Sequence, residues 1–282
     1  MRRSRQAVLA GAVAAVLLAG CGAADAPAHR PASAGPPYAV TSAVVRHAKT
    51  QQIQVWAPAA KGHWPVVYGV PGIGGTRQDF NRVGPAVARQ GVVFFATDYR
   101  AQGLGQQYTA DLVCGYRFAR SIASRFGGSL RLPVTLVGYS HGAYLAFGAL
   151  QARLYGPGGS YHRCYRGTPL PNIIIAVDGC YYEYKNLRFP FPTQLFTDKR
   201  ARITLLSGTR DTVCESWQTR KAANALQAAG LRTTIVPIPN ANHYQPMFHD
   251  LVNGNVVNRP GSKLGNTTVQ TILHAIHSYK HA

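Results

Sequence analysis

The chain has 282 residues, 46% of them apolar, which is enough to bury one large core and forces no second globular domain. Its 30 lysines and arginines against 10 acidic residues give a formal charge of +20. The basic residues are scattered and no basic run interleaves with aromatics, which argues against a nucleic-acid partner and leaves attraction to anionic envelope polymers or phospholipid head groups as the expectation.

The chain begins MRRSRQAVLAGAVAAVLLAGCG. Arg2, Arg3 and Arg5 precede an apolar stretch that runs from Ala7 to Ala19, too short to cross a bilayer comfortably and laid out like an export signal. Leu18-Ala19-Gly20-Cys21 resembles the lipobox of bacterial lipoproteins, which implies cleavage before Cys21 and a lipid on that cysteine that anchors the protein to a membrane. A secretory signal ending near Ala24 or Ala26 is the rival reading. From Gly22 to Pro37 there is almost no large apolar residue, so the segment reads as a flexible tether. Residues 1–20 are thus read as a signal peptide, 21–37 as a lipidated tether and 38–282 as one domain.

Within that domain, short β-branched runs at 52–56, 65–70, 92–97, 134–137, 173–177, 203–206 and 233–237 read as strands. Amphipathic spacing predicts helices at 107–125, 142–155, 216–229 and 267–279, with Gly230 placed as a C-terminal cap. Continuous apolar strands separated by helices imply an α/β fold with a mostly parallel sheet covered on both faces, in which ligands bind at the carboxyl ends of the strands.

Those carboxyl ends carry the chemistry. Strand 134–137 runs into Gly138-Tyr139-Ser140-His141-Gly142, a Gly-x-Ser-x-Gly pattern that arises by chance in about one such chain in eight. Its position at a strand-to-helix turn makes Ser140 a candidate nucleophile, with Gly138 and Gly142 as the small residues that let the turn pack. Strand 203–206 leads to Asp211, and strand 233–237 leads to His243, so a serine, an acid and a base each follow the C-terminal end of a successive strand region, as a Ser-Asp-His triad could use. Asp178, Glu215 and His249 are the substitutes. After strand 65–70, the loop Pro71-Gly72-Ile73-Gly74-Gly75 is suited to supply one backbone donor to an oxyanion, through Ile73, with the His141 amide as the second. The loop lacks the Gly-Lys-Ser/Thr of a phosphate loop.

The set Pro71-Gly72-Ile73, Asp98-Tyr99-Arg100, Gly138 to Gly142, Gly208 to Asp211 and Asn242-His243 resembles the α/β-hydrolase superfamily over nearly all of residues 50–282. The Pro-Gly-x loop and the stretch from Gly84 to Gly91 look like its cutinase, polyesterase and dienelactone-hydrolase-like branches, although Tyr139 and His141 replace the more usual neighbours of the serine. The resemblance implies a serine hydrolase acting on a small or polymeric carboxylic ester, with Ser140, His243 and Asp211 as triad and no cofactor. Acyl transfer to an envelope acceptor and a non-catalytic binding role on the same scaffold are the alternatives.

Export changes how the cysteines are read. Apart from Cys21, an even set remains, Cys114, Cys164, Cys180 and Cys214, which allows three connectivities of two disulfides. Cys180 and Cys214 both follow predicted strand ends, which favours pairing them and leaves Cys114 with Cys164. Cys164 with Cys180 also closes a feasible loop, and Cys114 sits on an apolar helix face where a free thiol is tolerated. The aromatic segment from Tyr181 to Pro192 is a candidate pocket wall. His274, His277 and His281 share helical spacing but have no acidic or cysteine partner nearby, so a solvated face is expected and no metal site.

Overall fold

The computed structural model describes residues 37–47, 51–99, 106–148, 150, 164, 168–184, 187–188, 199–253, 255–259 and 261–280. The signal segment, Cys21 and the tether as far as Pro36 lie outside the described residues.

Twelve strands and five α-helices are described. They run β1 (Val40–Arg46), β2 (Gln52–Pro58), β3 (Val66–Val70), α1 (Val83–Ala88), β4 (Val93–Thr97), α2 (Gln106–Ile122), β5 (Val134–Tyr139), α3 (His141–Gly148), β6 (Ile173–Val177), β7 (Glu183–Tyr184) and β8 (Leu187–Arg188). There follow β9 (Arg202–Gly208), α4 (Ser216–Ala228), β10 (Arg232–Ile238), β11 (His249–Val252), β12 (Asn255–Asn258) and α5 (Lys263–Lys280). Eight strands form one sheet in the order β1-β2-β4-β3-β5-β6-β9-β10. β2 is antiparallel to both β1 and β4, and every pair from β4 to β10 is parallel.

Period-two side-chain alternation divides the core between the sheet's two faces. Ile174 and Ala176 of β6 face one way and join Leu112 and Tyr116 of α2, Ala143 and Phe147 of α3 and Leu226 of α4. Ile173, Ile175 and Val177 face the other way and join Val83 and Val87 of α1 and Ile272 and Ile276 of α5. With both faces covered, the inner strands have no polar side to show, which is why they read as continuous apolar runs.

The seven expected strands are present: four are longer than expected, those at 65–70 and 92–97 each begin one residue later, and 173–177 is unchanged. The first strand of the sheet, β1, was not expected. It is a half-exposed edge with Val44 52% exposed, and its sequence VTSAVVR carries neither a buried run nor a clean alternation. α1 was also missed, being six residues long with Pro85 in its first turn. The expected helix 107–125 stops at Ile122 and tightens into a 3₁₀ turn, Ala123–Phe126, closed by Gly127 at φ +78°. The expected helix 142–155 begins at His141 and is described to Gly148. Gly230 does cap α4: at φ +83° its N–H donates to Gln227 O at 2.9 Å, and Leu231 N–H donates to Leu226 O at 3.0 Å, a Schellman pair.

Candidate active site

β5 ends at Tyr139 and α3 begins at His141, so Ser140 alone makes the reversal from strand to helix. It does so at φ +55°, in the left-handed region where a non-glycine residue costs about 1–3 kcal/mol. The surroundings hold it there. Ser140 N–H donates to Val177 O at the end of β6, 2.9 Å away, and Ser140 O accepts from Ala143 N–H at 3.0 Å. The flanking glycines are sterically required: a Cβ on Gly138 would overlap Gly142 O, and one on Gly142 would overlap the carbonyl oxygens of Val70 and Pro71.

Ser140, Asp211 and His243 converge from three separate loops. His243 Nε2 lies 3.0 Å from Ser140 Oγ, and His243 Nδ1 lies 2.8 Å from Asp211 Oδ2. All three are buried, with relative exposures of 5%, 6% and 5% for Ser140, Asp211 and His243. The other Asp211 oxygen accepts from Val213 N–H at 2.8 Å and Cys214 N–H at 2.9 Å, which fixes the carboxylate's orientation. The histidine loop is held by Asn242, whose Oδ1 accepts from Tyr244 N–H and Gln245 N–H and whose own N–H donates to Gln245 Oε1. Tyr139 adds a clamp, since its hydroxyl donates to His243 O at 3.1 Å. Burial pushes the Tyr139 phenol well above its usual range, so it remains a donor.

The loop after β3 lies directly against the serine: a Cβ on Gly72 would sit 3.2 Å from Ser140 Cβ. Gly72 N–H is committed to Asp79 Oδ2 at 3.1 Å, whereas Ile73 N–H meets no acceptor among the described residues. His141 is the first residue of α3, where helix amides point outward along the axis. The residue is 4% exposed, and its imidazole is stacked on Tyr144 with ring centroids 5.6 Å apart. Burial lowers its pKa to about 4, so the ring is neutral at pH 7.

None of the substitutes is hydrogen-bonded to this array. Asp178, at the end of β6, accepts from Gly208 N–H at 2.6 Å. It sits at φ +44° and is 1% exposed, and burial together with the nearby Asp211 pushes its carboxyl well above the usual carboxylate range. Glu215 is exposed and accepts from Trp217 Nε1, and His249 opens β11.

Cys180 is bonded to Cys214 and Cys114 to Cys164, with Cα separations of 4.8 Å and 4.9 Å. The first bridge is fully buried and lies within the site, with Cys180 Sγ 4.0 Å from Ser140 Oγ. Asp211, Cys214 and His243 are close enough together to suggest a metal cluster, but the Cys214 sulfur is already covalently committed. His274 and His277 lie on the exposed face of α5, and His281 is outside the described residues. Of the aromatic segment, Tyr181 packs on Phe147 and Tyr182 stacks on Trp217, while residues 185–186 and 189–192 are outside the described residues. A cavity of about 740 Å³ lies elsewhere, between α5 and the face of β9 and β10.

Tyr139, Asp79 and Gln218 were not singled out from the sequence as supports of the site, and Asp178 was singled out only as a substitute for the acid. Gln218 Oε1 accepts from the amides of Tyr181, Tyr182 and Glu183 and so shapes the loop beyond β6. For Asp79 a signal existed, because Thr76-x-x-Asp79 directly after the glycine loop is a capping pattern.

No family model and no curated protein matches the chain. Solved structures do. A protein described as a dienelactone hydrolase from Klebsiella pneumoniae subsp. pneumoniae MGH 78578 aligns over 84% of this chain and 98% of its own, at 18% identity and a TM-score of 0.62. Esterase 2 of Thermogutta terrifontis, phosphorylated by paraoxon, aligns over 82% and 91%, at 19% identity and a TM-score of 0.60. An esterase of Pyrobaculum calidifontis aligns over 88% and 87%, at 16% identity and a TM-score of 0.61. At these identities the likeness is one of architecture, and with the strand order and the two covered faces it leads to one statement: this chain has the α/β-hydrolase fold.

Proposed function

We propose that the protein is a serine hydrolase that cleaves a carboxylic ester through an acyl-enzyme. The observation that carries this reading is the unbroken relay from Ser140 Oγ to His243 Nε2 at 3.0 Å and from His243 Nδ1 to Asp211 Oδ2 at 2.8 Å. In the first step His243 takes the Ser140 proton as Oγ attacks the ester carbonyl, and the tetrahedral oxyanion is held by the Ile73 and His141 amides. The imidazolium then gives its proton to the departing alcohol. Asp211 keeps Nδ1 protonated and stabilises the charge that forms beside it. Water, activated by the same His243, attacks the acyl-enzyme and releases the acid. Two of the structural neighbours bear the name esterase, which favours ester over amide substrates.

The test is hydrolysis of p-nitrophenyl acetate and butyrate by the wild type and by Ser140→Ala. The reading requires a loss of about a thousand-fold or more in the variant. Full activity in Ser140→Ala would refute it.

We further propose that the protein acts at the cell envelope, exported by residues 1–20 and anchored through a lipid on Cys21. The basic excess and the tether composition support this placement. Replacing Cys21 by Ser should move the protein from the membrane fraction to the soluble fraction, and its retention in the membrane would defeat the idea.

A further inference from the structure

Backbone accounting in the loop after β3 singles out one residue outside the triad. Two peptide units lie against Ser140. In the first, Pro71 O accepts from the buried Tyr99 hydroxyl at 2.9 Å and Gly72 N–H donates to Asp79 Oδ2 at 3.1 Å, so both of its polar ends are tied down. In the second, Gly72 O accepts from Gly75 N–H at 3.0 Å, while Ile73 N–H meets no acceptor among the described residues. A trans peptide directs its N–H opposite to its C=O. The pinned Gly72 carbonyl therefore aims the Ile73 N–H away from the turn that Gly75 closes.

We propose that Asp79 is a positioning residue of the oxyanion loop: by holding the Gly72 amide it fixes the peptide plane adjoining, through the Gly72 Cα, the one that presents the Ile73 N–H, whose own carbonyl is held by Gly75. The inference rests on the serine-hydrolase reading above and extends it to a side chain that is hydrogen-bonded to the loop amides and not to the triad. Asp79 also closes the short turn that follows, because Thr76 Oγ caps Arg77–Phe80 and the Thr76 amide bonds the Asp79 carboxylate. Burial raises the Asp79 pKa to about 6 and the Gly72 and Thr76 amides oppose that rise, so near pH 8 the group is a carboxylate, the stronger acceptor. Arg77 does not compete for it, being paired with Asp98 through both its main-chain N–H and its guanidinium.

The experiment measures kcat and KM for p-nitrophenyl butyrate at pH 8 on full-length wild type, Asp79→Ala, Asp79→Asn and Asp79→Glu, together with fluorophosphonate labelling of Ser140. The amide oxygen of Asn can still accept from Gly72, and its kcat should stay within about five-fold of wild type. Ala removes the acceptor, and kcat should fall by about ten- to a hundred-fold with KM changed by less than about three-fold. Glu keeps a carboxylate competent to cap the turn but moves it by one methylene. It should retain the wild-type melting temperature and lose about ten-fold in kcat, which keeps the test decisive if the Ala variant does not fold. Wild-type kcat in a labelled Glu or Ala variant would overturn the proposal and leave the triad reading intact. A wild type that the probe does not label would remove the triad reading and the proposal with it.

Discussion

The hydroxyl of Tyr139 donates to the main-chain carbonyl of His243 at 3.1 Å, joining the residue before the candidate nucleophile to the candidate base across 104 positions of sequence. The two rings also lie 5.3 Å apart, so the histidine is held by its backbone and by a ring face. Tyr139→Phe keeps the packing and removes only the donor, leaving a buried carbonyl unsatisfied at a cost of about 1–3 kcal/mol. We expect a lower melting temperature and a roughly ten-fold lower kcat with little change in KM. Steady-state kinetics beside a thermal melt check this, and an unchanged kcat would show that the clamp does not position the base.

Gly142 tests the steric argument for the turn. A methyl group there meets the carbonyl oxygens of Val70, at the end of β3, and Pro71, in the loop that follows, neither of which can retreat without moving the peptides packed on Ser140. Gly142→Ala should cost about 2 kcal/mol or more in stability and lower kcat/KM by at least about a hundred-fold. Urea unfolding with p-nitrophenyl ester kinetics measures both, and near-native values in both would mean that the loop does not rest on α3 as described.

Asp178 gives a prediction about pH. A carboxyl whose folded pKa is raised stays protonated while the unfolded chain ionises, so it lowers stability progressively as pH rises from about 4 toward its folded pKa. Asp178→Asn cannot ionise in either state and can still accept from Gly208 N–H. The melting temperature of the variant relative to wild type should therefore rise from pH 4 to pH 8. A constant or falling difference over that range would show that Asp178 is ionised in the fold.

The buried Cys180–Cys214 bridge ties the loop carrying Asp178 to the loop carrying Asp211 across 34 residues. Replacing both cysteines by alanine should cost about 2–4 kcal/mol in stability and lower kcat through the freed acid loop. Because both sulfurs are fully buried, wild-type activity should resist a mild thiol reductant under native conditions and fall only when denaturant opens the fold. Rapid loss of activity in reductant alone would contradict this burial.

The parts of the fold and of the site that could be read from sequence share a physical cause. β5 and β6 are buried on both faces, so their apolar composition alone marks them, and the residues just beyond their ends lie at the carboxyl edge of the sheet because parallel strands align those ends. Ser140, just past β5, was singled out in that way, and Asp211 and His243 were singled out as the acid and the base that follow β9 and β10. β1 was not, because an edge strand exposed on one face needs no continuous apolar run. Nor were the clamps legible: the bond from Tyr139 to His243 depends on where a side chain points across a separation of 104 positions, and no local pattern encodes that direction. Asp79 lies between these cases, since its capping pattern is local but its hold on Gly72 is not.

The central claim is that Ser140 is a nucleophile activated by His243. Intact-protein and peptide mass spectrometry after treatment with a fluorophosphonate tests it most directly. A single phosphonyl adduct is expected on the peptide containing Ser140, absent in Ser140→Ala and formed at least about a hundred-fold more slowly in His243→Ala. No adduct on the folded wild type, or an adduct that persists in Ser140→Ala, would contradict it.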